Sequence, residues 1–231
     1  MSDKHLSSRF DLDLNLLLTR LLEMGGLVEA QIARAMEALN AFDLTLVEQI
    51  LESERRLNAM EIEIDEEVSN IIVRRQPTAR DLRLLMAVSK CITNLERAGD
   101  EARKIAKRIR RIDEKNAGLT VNIAEIKASG EMAADILRRA LDAFARMDTA
   151  AAAQIVRDDE AIDNEFVAFV RKLITSMMED PRTIPVGLDY LFIAKAVERI
   201  GDHATNIAEF VVYIVEGTDV RHASREQIER D

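Results

Sequence analysis

Two pentapeptides hold the residues best placed to do chemistry. Glu96-Arg97-Ala98-Gly99-Asp100 returns as Glu198-Arg199-Ile200-Gly201-Asp202, 102 positions later. In each copy two carboxylates stand four residues apart, a spacing that points both from one face of a helix. In a chain with 42 acids among 231 residues an isolated pair of this kind is ordinary solvated charge. Here the pair recurs beside a glycine that falls within an apolar helical seam. The preceding helix breaks its own seam with an acid at corresponding places: Glu54 between Ile50 and Leu57, and Asp159 between Ile155 and Ile162. Folding the chain about Thr78 sets Glu54, Asn58 and Glu61 beside Glu96 and Asp100. Folding it within residues 180–185 sets Asp159 and Asp163 near Glu198 and Asp202.

Each hairpin would gather three or four oxygen ligands. Like charges at close range raise one another's pKa, and a divalent cation relieves that. Such a donor set suits hard cations better than a thiolate zinc site would. The plain alternative is an acidic face paired with the neighbouring Arg97 and Arg199, worth little energetically. Of the three histidines, His5 and His222 lie near the ends, and His203 reads as a surface residue or a support behind a ligand. No Glu-x-x-His pair accompanies the acids, which speaks against oxygen-activating di-iron chemistry. Gly-rich phosphate loops and nucleophile elbows are missing. The chain reads as a binding protein and not an enzyme. A metal-dependent hydrolase and a purely structural scaffold are the alternatives.

The elements that must position these acids are helices. Only 8 Gly, 3 Pro and 2 Tyr occur, with no Trp, and hydrophobic residues are 48%. Apolar residues at steps of three and four predict helices over 11–42, 44–75 and 80–112. The pattern restarts at Ile123 and runs to Met147. It continues through Ile155–Leu173 and then Tyr190–Val211. Prolines at 77, 181 and 185 mark the turns. The fold class expected is all-α, with two tandem, pseudo-symmetric three-helix bundles over 10–112 and 121–217. A linker at 113–120 joins them and a tail follows from 218. Gly99 and Gly201 cost helix stability and imply close helix approach.

The net charge of −10 argues against nucleic acid as a partner. The lone Cys91 builds no disulfide, fits a reducing cytoplasm, and reads as a small core residue. No apolar run spans a bilayer, so direct membrane insertion is not expected. The basic run Arg103–Arg111 reads as a solvated face closing its helix, with a dock for an acidic partner as the alternative. Met177-Met178 reads as core filler.

The duplicated Glu-Arg-x-Gly-Asp, together with the hairpin Arg75–Arg83 and the segment Met177–Pro185, resembles the PhoU family of phosphate-uptake regulators. The likeness runs from about Phe10 to His222. It implies a six-helix protein with pseudo-two-fold symmetry. It further implies a negative regulator of phosphate uptake and of the phosphate-starvation response. Such a regulator would relay the state of a phosphate ABC importer, through its cytoplasmic subunits, to a sensor histidine kinase. A cytoplasmic location, peripheral to the inner membrane through these partners, and a homodimer are expected. Some family members hold divalent-metal clusters at the repeated motifs, which assigns metal to Glu96 and Asp100, then Glu198 and Asp202. Iron, magnesium, manganese and zinc are the candidates. Asn58 stands where the second half has Asp163, and Lys104 where it has Asn206, so the first half should hold metal more weakly.

Overall fold

In the computed structural model, residues 8–115 and 121–218 are described. They form α1 (Ser8–Ala41), α2 (Leu44–Arg75), α3 (Ala79–Lys115), α4 (Ala124–Arg146), α5 (Thr149–Glu179) and α6 (Ile184–Glu216), with a 3-10 turn at Pro181–Thr183. Among the described residues there are no strands, and the all-α expectation holds. The tail beyond 218, residues 116–120 of the expected linker, and His5 and His222 lie outside the described residues.

The repeat is visible in the connections. Phe42 and Met147 both take left-handed backbone angles, φ 52° and 53°. Each is followed by an aspartate that caps the next helix. The Asp43 carboxylate accepts from the Thr45 N–H at 2.8 Å, and that of Asp148 from the Ala151 N–H at 2.9 Å. At the second turn of the first half, Gln76 closes α2 in the left-handed region ahead of Pro77.

The seam of α3 is buried throughout, from Leu85 to Ile109. Within each half the three helices pack on one another, α1 with α2 and α3, and α4 with α5 and α6. The most extensive contact lies between the halves, α3 against α6, with α1 also meeting α4. Each helix there meets its own counterpart, as two-fold related halves would.

The α3–α6 pairing buries a second face on both helices. On α3 it includes Ala87, Cys91, Asn94, Ala98, Glu101 and Ile105. The two helices run antiparallel and are joined by polar contacts along their length. Arg83 donates to the Ile214 carbonyl oxygen at 3.3 and 3.2 Å at one end. In the middle, the Asn94 side-chain oxygen meets His203 Nδ1 and the Asn206 amide, each at 3.2 Å. At the other end Arg108 and Lys115 hold Asp189. This last contact explains why α3 continues to Lys115 and not only to Ile112. The Lys115 ammonium also donates to the Pro185 carbonyl oxygen at 2.9 Å, which fixes the final turn.

Two expectations fail here. His203 is not a surface residue. It is buried between the halves, and burial, reinforced by the Arg97, Arg199 and Lys104 charges, pushes its ring down to about 4. The neutral imidazole can then donate from Nδ1 to Asn94. Met177 packs against the core, but Met178 is 78% exposed, because adjacent helical positions point in different directions. Cys91 is fully buried, as a core residue should be.

Candidate functional site

In the first half the acids come from one face of α2 and one of α3. Gly99 is what lets these helices approach. A methyl group there would collide with the Leu57 side chain and lie 2.8 Å from Gln31 Oε1. Glu96 is half-buried, and its carboxyl is raised above its ordinary value. Burial is the main cause, and the Asp100 and Glu61 charges add to it against Arg97 and Arg103. Glu61 also accepts from the Thr93 hydroxyl at 3.3 Å. Asn58 is exposed on α2.

Arg103 dominates this cluster. Its Nε lies 3.0 Å from Glu54 Oε1 and 3.0 Å from Asp100 Oδ1. Burial disfavours the charged guanidinium, but the hydrogen bond to Asp100 and the charges of Asp100, Glu54 and Glu96 outweigh it and raise its pKa. Lys104 stands 3.7 Å from Asp100 Oδ2. The pairing arginine is therefore Arg103 and not Arg97, which is exposed. The spacing of three residues from Asp100 was the available signal.

The second half is built alike, but its equivalent of Arg103 is not an arginine. The position equivalent to Arg103 is Thr205, whose hydroxyl donates to the Gly201 carbonyl oxygen at 3.1 Å. Asp159 is buried against α6. A methyl group on Gly201 would lie 2.6 Å from Asp159 Oδ1 and 3.0 Å from Ile162 Cδ1. Asp202 is open to solvent on one side, yet its carboxyl is raised. Burial by its neighbours leads, then the Glu198 charge; Asp163 adds to it, while Lys195 and Arg199 oppose. Glu198 accepts from Lys195 at 2.5 Å through Oε1, while its buried Oε2 has no hydrogen-bond partner. Arg199 leaves this cluster and reaches Glu101 on α3 at 3.3 Å.

Both hairpins thus bring their acids into electrostatic contact: Glu61, Glu96 and Asp100 in one, and Asp163, Glu198 and Asp202 in the other. Among the described residues, no three His, Cys, Asp or Glu side chains converge as a ready-made metal cage. In the first half Arg103 already engages two of the acids, and in the second Lys195 draws Glu198 aside.

A family model described as "PhoU domain" matches residues 21–109 and, a second time, 126–211. The chain belongs to the PhoU family. The two matched segments contain the two acid clusters, one each. The PhoU relatives include a protein of a Burkholderia species named "Phosphate-specific transport system accessory protein PhoU homolog". It is 56% identical over 100% of this chain and 99% of that protein. The Escherichia coli K12 "Phosphate-specific transport system accessory protein PhoU" is 42% identical over 99% of this chain and 94% of its own. Among solved structures, the crystal structure of PhoU from Pseudomonas aeruginosa superposes with a TM-score of 0.87 at 43% identity. That match covers 90% of this chain and 100% of the crystallised one. The six-helix PhoU fold and its duplication are therefore shared along nearly the whole chain.

Proposed function

We propose that this chain is the accessory protein of a phosphate-specific transport system. It restrains phosphate uptake and keeps the phosphate-starvation response off when phosphate is plentiful. It acts by binding, as an adaptor between the cytoplasmic subunits of the phosphate ABC importer and a sensor histidine kinase. The observation that supports the reading is the 56% identity, end to end, with a relative named as an accessory protein of a phosphate-specific transport system. No helix among the described residues is long and apolar enough to cross a membrane. The chain reaches the inner membrane through these partners, from the cytoplasm, and works as a homodimer.

Divalent metal at the duplicated acids belongs to the same proposal. The second cluster fits the chemistry: an all-carboxylate donor set, a raised Asp202 carboxyl, a buried Glu198 Oε2 without a hydrogen-bond partner, and a threonine where the first half has Arg103. Asp159, Asp163, Glu198 and Asp202 would hold the ion. Glu54, Asn58, Glu96 and Asp100 would hold one in the first half once Arg103 gives way. The ion supplies positive charge that removes the repulsion between the acids. Magnesium, manganese and iron(II) suit oxygen donors best, with zinc a poorer match.

Deletion of the gene tests the regulatory reading. Phosphate-starvation genes should switch on in phosphate-rich medium, and the full chain supplied in trans should silence them. Normal repression in the deletion strain would refute the reading.

A further inference from the structure

Between α3 and α6, on the outer side of their contact, lies a cleft of about 410 Å³ whose charge is opposite to that of the protein. Lys104, Lys107, Arg108, Arg111, Lys195 and Arg199 line it, with Glu101 the only acid. The chain as a whole carries a net charge of −10. Concentrating six cations in one concavity of an acidic protein opposes their mutual repulsion, and local acids only partly offset it. Lys107 is exposed, the ammonium of Lys104 and the guanidinium of Arg199 share the buried carboxylate of Glu101, Lys104 also lies 3.7 Å from Asp100, and Lys195 pairs with Glu198.

The cleft is also held in shape. Asp189 is 1% exposed and anchors Arg108 at 2.9 Å and Arg111 at 3.6 Å. The Arg108 guanidinium in turn lies 4.2 Å from the centre of the Phe192 ring, which is 51% exposed. Phe192 is the last of three exposed apolar residues at spacing four on α6, after Ile184 and Leu188. An apolar stripe therefore runs along α6 and continues into the cations, over about 22 Å from residue 184 to residue 199 at the helical rise.

We propose that this stripe and cleft dock an acidic, amphipathic helical segment of a partner protein. Its apolar face would lie on Ile184, Leu188 and Phe192, and its carboxylates on the cations beyond. Helix-in-groove recognition uses anchors at this kind of spacing, and complementary charge sets orientation and encounter rate. A small anion would use the cations and leave the apolar stripe bare, and an anionic bilayer would be repelled by the rest of the surface. This inference rests on the adaptor reading above and assigns that reading a surface.

The test uses the full chain in cells that also make the phosphate importer. Lys107→Glu with Leu188→Glu changes two exposed positions that lie outside the Asp189 contacts. Lys127→Glu with Val73→Glu makes the same changes at exposed positions elsewhere. Circular dichroism establishes that both variants fold. Affinity capture of the importer should fall at least tenfold for the first variant and stay at the wild-type level for the second. In parallel, p-benzoylphenylalanine at position 192 should crosslink to an apolar segment rich in Asp and Glu, located by mass spectrometry. Wild-type capture by the first variant overturns the proposal. So does a crosslink to a second copy of the chain, to lipid or to a basic segment, or no crosslink at all. If the wild-type chain captures no importer, the adaptor reading fails, and the crosslink alone decides the docking surface.

Discussion

Arg103 and Thr205 occupy the same position in the two halves, and only Arg103 reaches into its acid cluster. The guanidinium bridges Glu54 and Asp100, whereas the Thr205 hydroxyl turns back to the Gly201 carbonyl oxygen. One half thus has a guanidinium bridging two of its acids, whereas in the other it is the Lys195 ammonium that meets Glu198.

That difference ranks the two clusters for metal. Calorimetric titration with Mn²⁺ should show that Asp202→Asn loses more binding than Asp100→Asn. Arg103→Thr, which copies the second half, should strengthen the first site by about tenfold, since removing one competing charge contact is worth about 1–2 kcal/mol. Equal losses in the two Asp→Asn variants, together with no gain from Arg103→Thr, would show that Arg103 does not control the site.

Acid stability should depend on Asp189. Burial alone would raise its carboxyl, but the hydrogen bonds from Lys115 and Arg108 and the Arg111 charge outweigh that and hold it below the usual range. A lowered folded-state pKa contributes stability that is fully present above the unfolded carboxylate value of about 4 and is lost as pH falls through the folded value. Asp189→Asn should cost about 1–3 kcal/mol at pH 7, discounted because Arg108 and Lys115 are partly hydrated. The gap between wild type and variant should narrow below pH 4. Urea unfolding at pH 7 and pH 3 measures both.

The glycines make opposed predictions. Gly201→Ala places a methyl group 2.6 Å from Asp159 Oδ1 and should destabilise by about 1–3 kcal/mol. A methyl group on Gly26, exposed on α1, meets nothing within 4 Å. Gly26→Ala should therefore stabilise by about 0.4–1 kcal/mol. Thermal unfolding of the two variants should shift in opposite directions.

The Asn94 amide should be worth more than its size suggests. Replacing it by alanine leaves the His203 ring and the Asn206 amide without their shared acceptor between buried helices. The loss should be about 1–3 kcal/mol. Asn94→Asp, which keeps an acceptor in place, should recover stability relative to Asn94→Ala in the same denaturation experiment.

Much of this was legible in the sequence, for a physical reason. A helix that buries one face writes that face as an apolar repeat, and the seams through Leu85–Ile109 and Ile126–Phe144 are read directly. The second face of α3 was not legible. Its apolar positions are mostly small, and Asn94 and Glu101 interrupt them, so the stripe looks like surface until α6 covers it. His203 was misread for the same cause. The acids were placed on the right hairpins, with Asp159 buried as its seam position required, but spacing alone could not show that Arg103 would fold back between two of them. The basic run at the end of α3 looks like solvated charge in the sequence because its buried partner, Asp189, lies 81 residues beyond Arg108.

The pairing of α3 with α6 has a consequence for the chain's architecture as a covalent object. A fragment ending at residue 115 would carry the whole first half yet leave Ala98, Cys91 and Ile105 facing water. Such a half-chain would seek a second copy, and the natural surface for that copy is the one α6 now covers. Residues 116–120 tether what would otherwise be two subunits, turning a concentration-dependent association into an intramolecular one. Within one chain the two halves need not be identical, and one acid cluster carries an arginine where its twin carries a threonine.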